Sequence, residues 1–334
     1  PLTITVTPLY GTPDLYVRVG VSPLLPTLGG GGGAAQYQQT SPGDDSLTVP
    51  LDGSSSSVAI GVYGRLASAF SLVVSAPSTE VTLTSGLPRR FETPGGTLYF
   101  AVPVARGQTL TVSLTTLTAT PADVYISATT ARPTVTSHDV ALPASESFQH
   151  VTLPPSPTCL AGSSRVCTVH ITVAASTSTV FSIAATIGSD PTRLVDGLPQ
   201  MGAIDASGGE MHYVVRAASG HSDLTISLAP TGAGCGAHVY VSTPGGEATW
   251  SGETPGSVEE RVTISQADLA TYCLFCDYRV RVAAAGRCLF TVTSSSNHAV
   301  TVLENGVPAA DRVNHGASEY FKLYVMRPLA DVEI

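Results

Sequence analysis

The sequence repeats itself at a period close to 110 residues. Two markers recur at intervals of 111 and then 109 residues: a Phe-containing strand sequence (Phe70, Phe181, Phe290) and a Gly-x-Pro turn (Gly86, Gly197, Gly306). Self-similarity at a fixed period means that one structural unit recurs along the chain. The 334 residues therefore correspond to about three units.

Each unit is predicted to consist of β-strands. Val, Leu, Ile and Ala alternate with Thr and Ser in short segments such as residues 2–7, 110–116 and 224–228, and turn residues separate these segments. This alternation is typical of half-buried strands. Seven or so short strands per unit indicate an antiparallel sandwich. We predict an all-β fold of tandem antiparallel β-sandwich domains, jelly-roll-like or Ig-like.

The phase of the repeat divides the chain unevenly. Residues 77–188 and 189–298 each hold a complete unit, residues 1–76 match only the back part of a unit, and residues 299–334 match only a front part. A partial sandwich leaves apolar faces and strand edges uncovered. Three arrangements would complete both parts: the two ends meet within one chain, the front part of one copy pairs with the back part of the next, or the sequence is one repeat of a longer array.

We expect the second arrangement, in which copies of the chain join head-to-tail. The front part, residues 299–334, would then be completed by residues 1–76 of a neighbouring copy. Such a contact does not close on itself and produces a fibre. The predicted interface consists of apolar strand residues from both ends of the chain: Leu2, Ile4, Val6, Tyr320, Leu323 and Val325.

Three segments resemble the bacterial pre-peptidase C-terminal (PPC) domain. They are the Gly-Leu-Pro turn with its aromatic strand (residues 83–100), the strand 2–7, and residues 12–17 (Thr-Pro-Asp-Leu-Tyr-Val), which are similar to the family's Gly-Asp-x-Asp-Leu-Tyr-Val signature. The resemblance implies a secreted jelly-roll-like sandwich, found in tandem beside extracellular enzymes and in surface proteins. Some family members bind calcium near this turn, which here implies Asp14 with Asp44 or Asp45. Later copies keep one acid (residues 122–125) or none (residues 237–240), so we otherwise expect no cofactor.

The six cysteines indicate disulfides, because they are even in number and lie in a strand-rich context. Six cysteines allow fifteen pairings. Alignment of the hairpins favours two loop crosslinks and one longer one: Cys159–Cys167, Cys273–Cys276 and Cys235–Cys288. A zinc site is the alternative for Cys273-x-x-Cys276, but no second pair of ligands stands at finger spacing.

The composition argues against several classes of function. A net charge of −9 disfavours nucleic acid and anionic membranes as partners. No run of 18 apolar residues is present, so we expect no membrane span. The eight histidines belong to no Gly-x-Ser-x-Gly or His-Glu-x-x-His motif. His138-Asp139 lies in a variable loop and His170 in a predicted strand, and we predict no catalytic residue and no enzyme. Pairs of acids such as Glu259-Glu260 are expected to be solvated loop residues.

The sequence favours O-glycosylation of Ser and Thr over N-glycosylation. None of the three asparagines begins an Asn-x-Ser/Thr sequon, whereas Ser and Thr form several tracts, as in residues 54–57 and 176–179.

The repeat, the strand pattern, the cysteines and the composition together predict an extracellular structural protein, the repeating unit of a filament or surface stalk. The alternative is a non-catalytic binding or spacer region of a large secreted hydrolase.

Overall fold

The fold was analysed in a computed structural model of the chain. It describes residues 2–21, 24–28, 33–40, 45–51, 57–76, 78–118, 120–144, 149–156, 165–205, 209–217, 222–231, 235–247, 249–252, 260–296, 300–304, 306–307, 309, 313, 316 and 318–325. All regular structure within these ranges is β-strand, which confirms the predicted fold class. The described residues accordingly include no helix of the length and apolar character needed to cross a membrane.

Residues 2–75 form two three-stranded sheets. The strands are β1 (Leu2–Tyr10), β2 (Pro13–Gly20), β3 (Tyr37–Gln39), β4 (Asp45–Val49), β5 (Ser57–Gly64) and β6 (Ala69–Ser75). Their order is β4-β1-β6 in one sheet and β3-β2-β5 in the other, and all pairs are antiparallel. A small apolar core lies between the sheets, around Ile4, Val6, Leu15, Val17 and Val49.

Residues 80–187 form a sandwich of a four-stranded and a five-stranded sheet. The strands are β7 (Glu80–Thr82), β8 (Arg89–Thr93), β9 (Gly96–Ala105), β10 (Leu110–Thr116), β11 (Asp123–Ser127), β12 (Val140–Leu142), β13 (Gln149–Leu153), β14 (Val166–Ala175) and β15 (Thr179–Ile187). The orders are β13-β10-β15-β8 and β12-β11-β14-β9-β7. Three rings fill the centre of the core, with Phe91 and Phe100 4.8 Å apart and Phe181 6.0 Å from Phe91.

Residues 192–296 repeat this plan. The strands are β16 (Thr192–Arg193), β17 (Gln200–Ile204), β18 (Gly209–Arg216), β19 (Leu224–Pro230), β20 (Ala237–Ser242), β21 (Thr249–Ser251), β22 (Glu260–Ile264), β23 (Asp277–Ala284) and β24 (Cys288–Ser296). They form sheets β17-β24-β19-β22 and β16-β18-β23-β20-β21. Gly202 takes the position of Phe91, and the buried rings of Tyr213 and Phe290 fill the space.

Two short strands, β25 (Val300–Val302) and β26 (Tyr320–Lys322), follow and pair in parallel. Every sheet draws its strands from only one of the stretches 1–76, 77–188, 189–298 and 299–334. The two complete sandwiches have nine described strands each, against the seven or so expected from the sequence. The additional strands have only two or three residues, which is too short for an alternating pattern to be recognised.

Candidate functional site: an open sandwich end

Two adjacent strand edges are open in residues 2–75. Strand β15 lies between β10 and β8, and β24 lies between β19 and β17, but β6 pairs only with β1 among the described strands. In the facing sheet, β14 and β23 likewise have neighbours on both sides, whereas β5 pairs only with β2 and carries no described strand on its other side. This end of the sandwich, formed by β5 and β6, is called the acceptor edge below.

The inner face of β6 is apolar and exposed. Phe70, Leu72 and Val74 are 41%, 40% and 43% exposed, and the last two lie opposite the β1 core residues Val6 and Ile4. The equivalent positions of β15 are fully buried (Phe181, Ile183 and Ala185). Covering the three exposed side chains would contribute on the order of 1 kcal/mol each. The acceptor edge is therefore a hydrophobic surface with an open backbone ladder beside it.

Strand β5 shows the same deficit in the facing sheet. Val58, Ile60 and Val62 point into the small core but are only half-buried. Their equivalents on β14 are nearly inaccessible, because β9 covers them (Val169, Ile171 and Val173). What the acceptor edge lacks is thus a strand equivalent to β9 beside β5 and one equivalent to β8 beside β6.

Residues 300–325 have the form of the front part of a sandwich. Strands β7 and β9 pair in parallel, as do β16 with β18 and β25 with β26. After each first strand, one leucine donates its N–H to a carbonyl of the second strand: Leu83 to Ala101 at 2.9 Å, Leu194 to Val214 at 2.8 Å and Leu303 to Lys322 at 2.8 Å. The described residues of 300–325, called the donor segment below, therefore repeat the local structure with which each complete sandwich begins.

The parallel register assigns Phe321 to the inner face of the donor segment. The equivalent register pairs are Val81 with Phe100, Thr192 with Tyr213, and Thr301 with Phe321. Phe100 and Tyr213 are buried at the centres of their domains, whereas Phe321 is 47% exposed. Tyr320 is one residue earlier and therefore lies on the opposite face of the strand.

The outer side of the donor segment is anchored to the rest of the chain. Val302 and the half-buried Tyr324 pack on an apolar cluster between the two complete sandwiches, formed by Leu117, Val180, Val195 and Leu198. The guanidinium of Arg90 lies 4.8 Å from the Tyr324 ring. The anchor holds β25 in place and leaves Phe321, the inner residue of β26, exposed.

Glu304 is a half-buried acid at this anchor. The hydroxyl of Thr291 donates a hydrogen bond to its Oε2 at 3.0 Å. Burial raises the pKa of Glu304 to about 7, because the charged carboxylate is poorly solvated there. Protonation of this group near neutral pH therefore favours the docked donor segment.

The predicted interface residues divide between the two ends. Tyr320 and Val325 are exposed and Leu323 is half-buried on the donor segment. Ile4 and Val6, in contrast, are fully buried and Leu2 is half-buried, because β1 is the middle strand of its sheet with neighbours on both sides. The open edge of residues 2–75 is formed by β5 and β6, and the β1 residues lie behind it.

Two disulfides lie within the described residues, and both join cysteines that the hairpin alignment pairs. Cys235–Cys288 links the turn before β20 to the start of β24, and Cys273–Cys276 crosslinks the loop before β23. Cys167 is also disulfide-bonded. Cys159, the partner assigned to it from the sequence, lies outside the described residues.

The acidic candidates for calcium are engaged otherwise or not described. The buried Asp14 carboxylate accepts a hydrogen bond from Nε of Arg65 at 2.7 Å. Asp44 and the side chain of Asp45 lie outside the described part of the chain. In the described ranges, no three His, Cys, Asp or Glu side chains cluster as metal ligands.

Glu260 is not the solvated loop residue that the sequence suggested. It begins β22, is buried, accepts a hydrogen bond from the N–H of Val239 at 2.9 Å, and lies 2.6 Å from Nδ1 of His238. The neighbouring Glu259 is outside the described residues. A carboxylate can be buried at the start of a strand when a backbone N–H and a histidine provide hydrogen-bond partners for it.

The histidines singled out in the sequence make structural contacts. Nδ1 of His138 lies 2.9 Å from the carbonyl of Thr134, while the Asp139 carboxylate accepts hydrogen bonds from Ser127 and the N–H of Ala128. The two neighbours thus face different partners. His170 projects from β14 and lies 2.7 Å from Glu80 on β7, where it links two strands of one sheet.

No protein-family model and no curated protein matches this chain. Among solved structures, a protein from Eubacterium rectale described as secreted aligns over 60% of this chain and 69% of its own, with 8% identity and a TM-score of 0.18. A triple jelly-roll protein of an archaeal virus turret aligns over 87% and 77%, with 10% identity and a TM-score of 0.21. Neither alignment defines a family for this chain.

Proposed function

We propose that the chain is an extracellular structural protein and the repeating unit of a filament or surface stalk. The donor segment of one copy completes the sandwich of residues 2–75 in the next copy. One observation carries the proposal: β25 and β26 repeat the parallel pairing of β7 with β9 and of β16 with β18, while β5 has no described strand in the position of β9. The described strands of the donor segment are thus of the kind that the open side of β5 lacks, which supports the proposal.

The complete domains predict the register of the contact. Ile171 pairs with Phe100, and Val280 pairs with Tyr213. Because Ile60 is the equivalent residue on β5, it is expected opposite Phe321 of the neighbouring copy, with Ala59 opposite Lys322. Phe321 would then cover Phe70, as Phe100 lies 6.4 Å from the Phe181 ring.

Such an interface uses two different surfaces on each copy. A contact of this kind leaves one donor segment and one acceptor edge free at the ends of every oligomer, so growth continues unless a rotation closes a ring. Backbone hydrogen bonds along the added strand supply affinity, and the buried aromatic side chains supply register. A filament is the expected product.

The proposed location and the absence of a catalytic role are supported by side-chain chemistry. Disulfides persist in oxidising compartments, and five cysteines of this chain are disulfide-bonded in the structure. The hydroxyl-rich loops would face water or carry O-linked sugar. We propose no catalytic step, because each histidine and acid described above has a structural partner.

Cysteine crosslinking tests the assembly directly. Ala59→Cys and Lys322→Cys in one chain place two thiols on the outer face of the new sheet, directly opposite each other across the contact. Oxidation is expected to give a ladder of linked dimers, trimers and longer species, together with filaments in electron micrographs. The matched control pairs Ala59→Cys with Val135→Cys, a position 67% exposed on a different domain.

The outcome separates head-to-tail pairing of copies from contact between the two ends of one chain. A ladder from the Ala59/Lys322 pair, with none from the control, supports head-to-tail completion. A crosslink confined to single chains would show that the two ends meet within one molecule. That result, or equal ladders from both pairs, overturns the proposal.

A further inference from the structure

The two complete sandwiches meet the segments that follow them through the same glycine contact. The carbonyl of Gly86 accepts a hydrogen bond from the N–H of Arg193 on β16 at 2.7 Å, and the carbonyl of Gly197 accepts one from Val302 on β25 at 2.7 Å. Both glycines have positive φ, 71° and 76°. A β-carbon on either one would collide with a carbonyl oxygen, that of Pro191 or Val300.

Each glycine also binds the last strand of its own domain. The N–H of Gly86 donates to the carbonyl of Ala185 at 2.8 Å, and that of Gly197 donates to Ser294 at 2.7 Å. The glycine turn is therefore held between the closing strand of its own sandwich and the first strand of the next. This double contact is called the glycine joint below.

Gly306 has the conformation for a third joint, but nothing fills it. Its φ is 77°, in line with the other two glycines. Apart from its two chain neighbours, no atom of the described residues lies within 4 Å of the position where its β-carbon would stand. In the described part of the chain it therefore lacks the neighbour against which Gly86 and Gly197 are pressed.

The matching surface lies at the boundary between β6 and β7. Val74 on β6 is equivalent to Ala185 and Ser294, and Thr82 on β7 is equivalent to Arg193 and Val302. The N–H of Leu83 donates to Ala101 on β9. The N–H of the preceding residue, Thr82, therefore points away from β9, toward the open edge of β7. The positions that would bind a glycine turn are thus present without a turn in residues 2–75 to occupy them.

We propose that the Gly306 turn of one copy docks between β6 and β7 of the next. Its N–H donates to the carbonyl of Val74, and its carbonyl accepts from the N–H of Thr82. This inference rests on the proposed head-to-tail assembly and adds a second contact to it. Strand addition completes the sandwich, while the glycine joint fixes how that sandwich is oriented on the following domain.

The substitution Gly306→Ala tests the joint. In the free chain the added methyl group meets nothing, but in the joint it would strike the carbonyl of Glu80, the residue equivalent to Pro191 and Val300. Gly246→Ala is the matched control, because Gly246 has a φ of 79° and equally open surroundings in the third domain. Both variants carry the same backbone strain, so any difference between them reports the docking.

We expect Gly306→Ala to raise the concentration needed for assembly at least tenfold relative to Gly246→Ala, measured by sedimentation of filaments. Thermal unfolding of the two variants should agree, which shows that the chain itself is intact. If wild type assembles and the two variants assemble equally, the joint is wrong and strand addition alone stands. If wild type does not assemble, both the joint and the proposed function fall.

Discussion

Phe70 and Phe181 occupy the same position in the last strand of a sandwich, yet Phe181 is completely buried and Phe70 is 41% exposed. The difference arises from neighbours and not from the strand itself. Phe91 and Phe100 lie against Phe181, and residues 2–75 contain no equivalents of them. A strand sequence suited to a closed core therefore stands at an open edge, which is a surface prone to pair with another chain.

Phe321→Ser is expected to abolish assembly up to at least tenfold above the wild-type threshold concentration. The substitution removes the ring that would cover Phe70 and Ile60, and burial of such a ring contributes about 2 kcal/mol. Filament sedimentation over a range of concentrations measures the effect.

Tyr320→Ser provides the comparison for this variant. Tyr320 is adjacent, aromatic and 60% exposed but lies on the outer face of the strand. It should shift the threshold by less than Phe321→Ser does. Equal effects from the two variants would contradict the assigned register.

Packing of the donor segment at its anchor on the same chain is expected to weaken as the pH rises through about 7. Burial raises the pKa of Glu304 from 4.5 to about 7, so the folded state binds a proton more tightly than the unfolded chain does. The stabilisation is complete below pH 4.5 and is lost as the pH rises through 7, by roughly 2–3 kcal/mol in total. Hydrogen exchange at Val302 and Leu303, corrected for intrinsic rates, should report it.

Glu304→Gln is the control for the pH effect. The amide keeps an oxygen that can accept the hydrogen bond of Thr291 but does not titrate. Protection of Val302 in this variant should not change between pH 5 and pH 8 beyond the intrinsic rates. An unchanged pH dependence would assign the effect to another group.

Gly202→Ala is expected to destabilise the sandwich of residues 192–296 by about 1–3 kcal/mol. A β-carbon at this position would meet the ring of Phe290 and the hydroxyl of Tyr213, both of which are held by the core. Gly236→Ala, where nothing lies within 4 Å, should change stability little. Denaturant unfolding of the two variants, followed through the fluorescence of Trp250, compares them.

Loss of the Cys235–Cys288 disulfide is expected to cost more than loss of the Cys273–Cys276 disulfide. The first closes a loop with a sequence separation of 53 and the second one of 3. Loop-closure entropy then predicts about 4 kcal/mol against about 2 kcal/mol. Paired Cys→Ser variants, compared by urea unfolding, measure the difference, and equal losses would contradict this account.

Much of the fold could be predicted from the sequence because the same markers recur three times. The intervals between Phe70, Phe181 and Phe290 identified equivalent strands, and alternation identified their buried faces. Strands β7, β16 and β25 were missed, since two or three residues in a parallel edge pair carry no alternating signal. Yet these short strands define the register of the donor segment.

The candidate site was only partly predictable. The phase of the repeat pointed to both ends of the chain, but strand order within a sheet is a tertiary property that periodicity does not encode. Ile4 and Val6 were therefore assigned to the contact although they lie in a middle strand. The burial of Glu260 likewise depends on His238, 22 positions away, and no local pattern reveals that partner.

The glycine joint has a geometric consequence. Gly86 and Gly197 use the same pair of hydrogen bonds, so we expect similar rotations and translations from one domain to the next. If Gly306 repeats them between copies, successive domains are related by one screw operation along the whole assembly. The helical repeat of such a fibre would then be one domain of about 110 residues and not one chain. At low resolution, the boundary between two chains would look the same as the boundary between two domains of one chain.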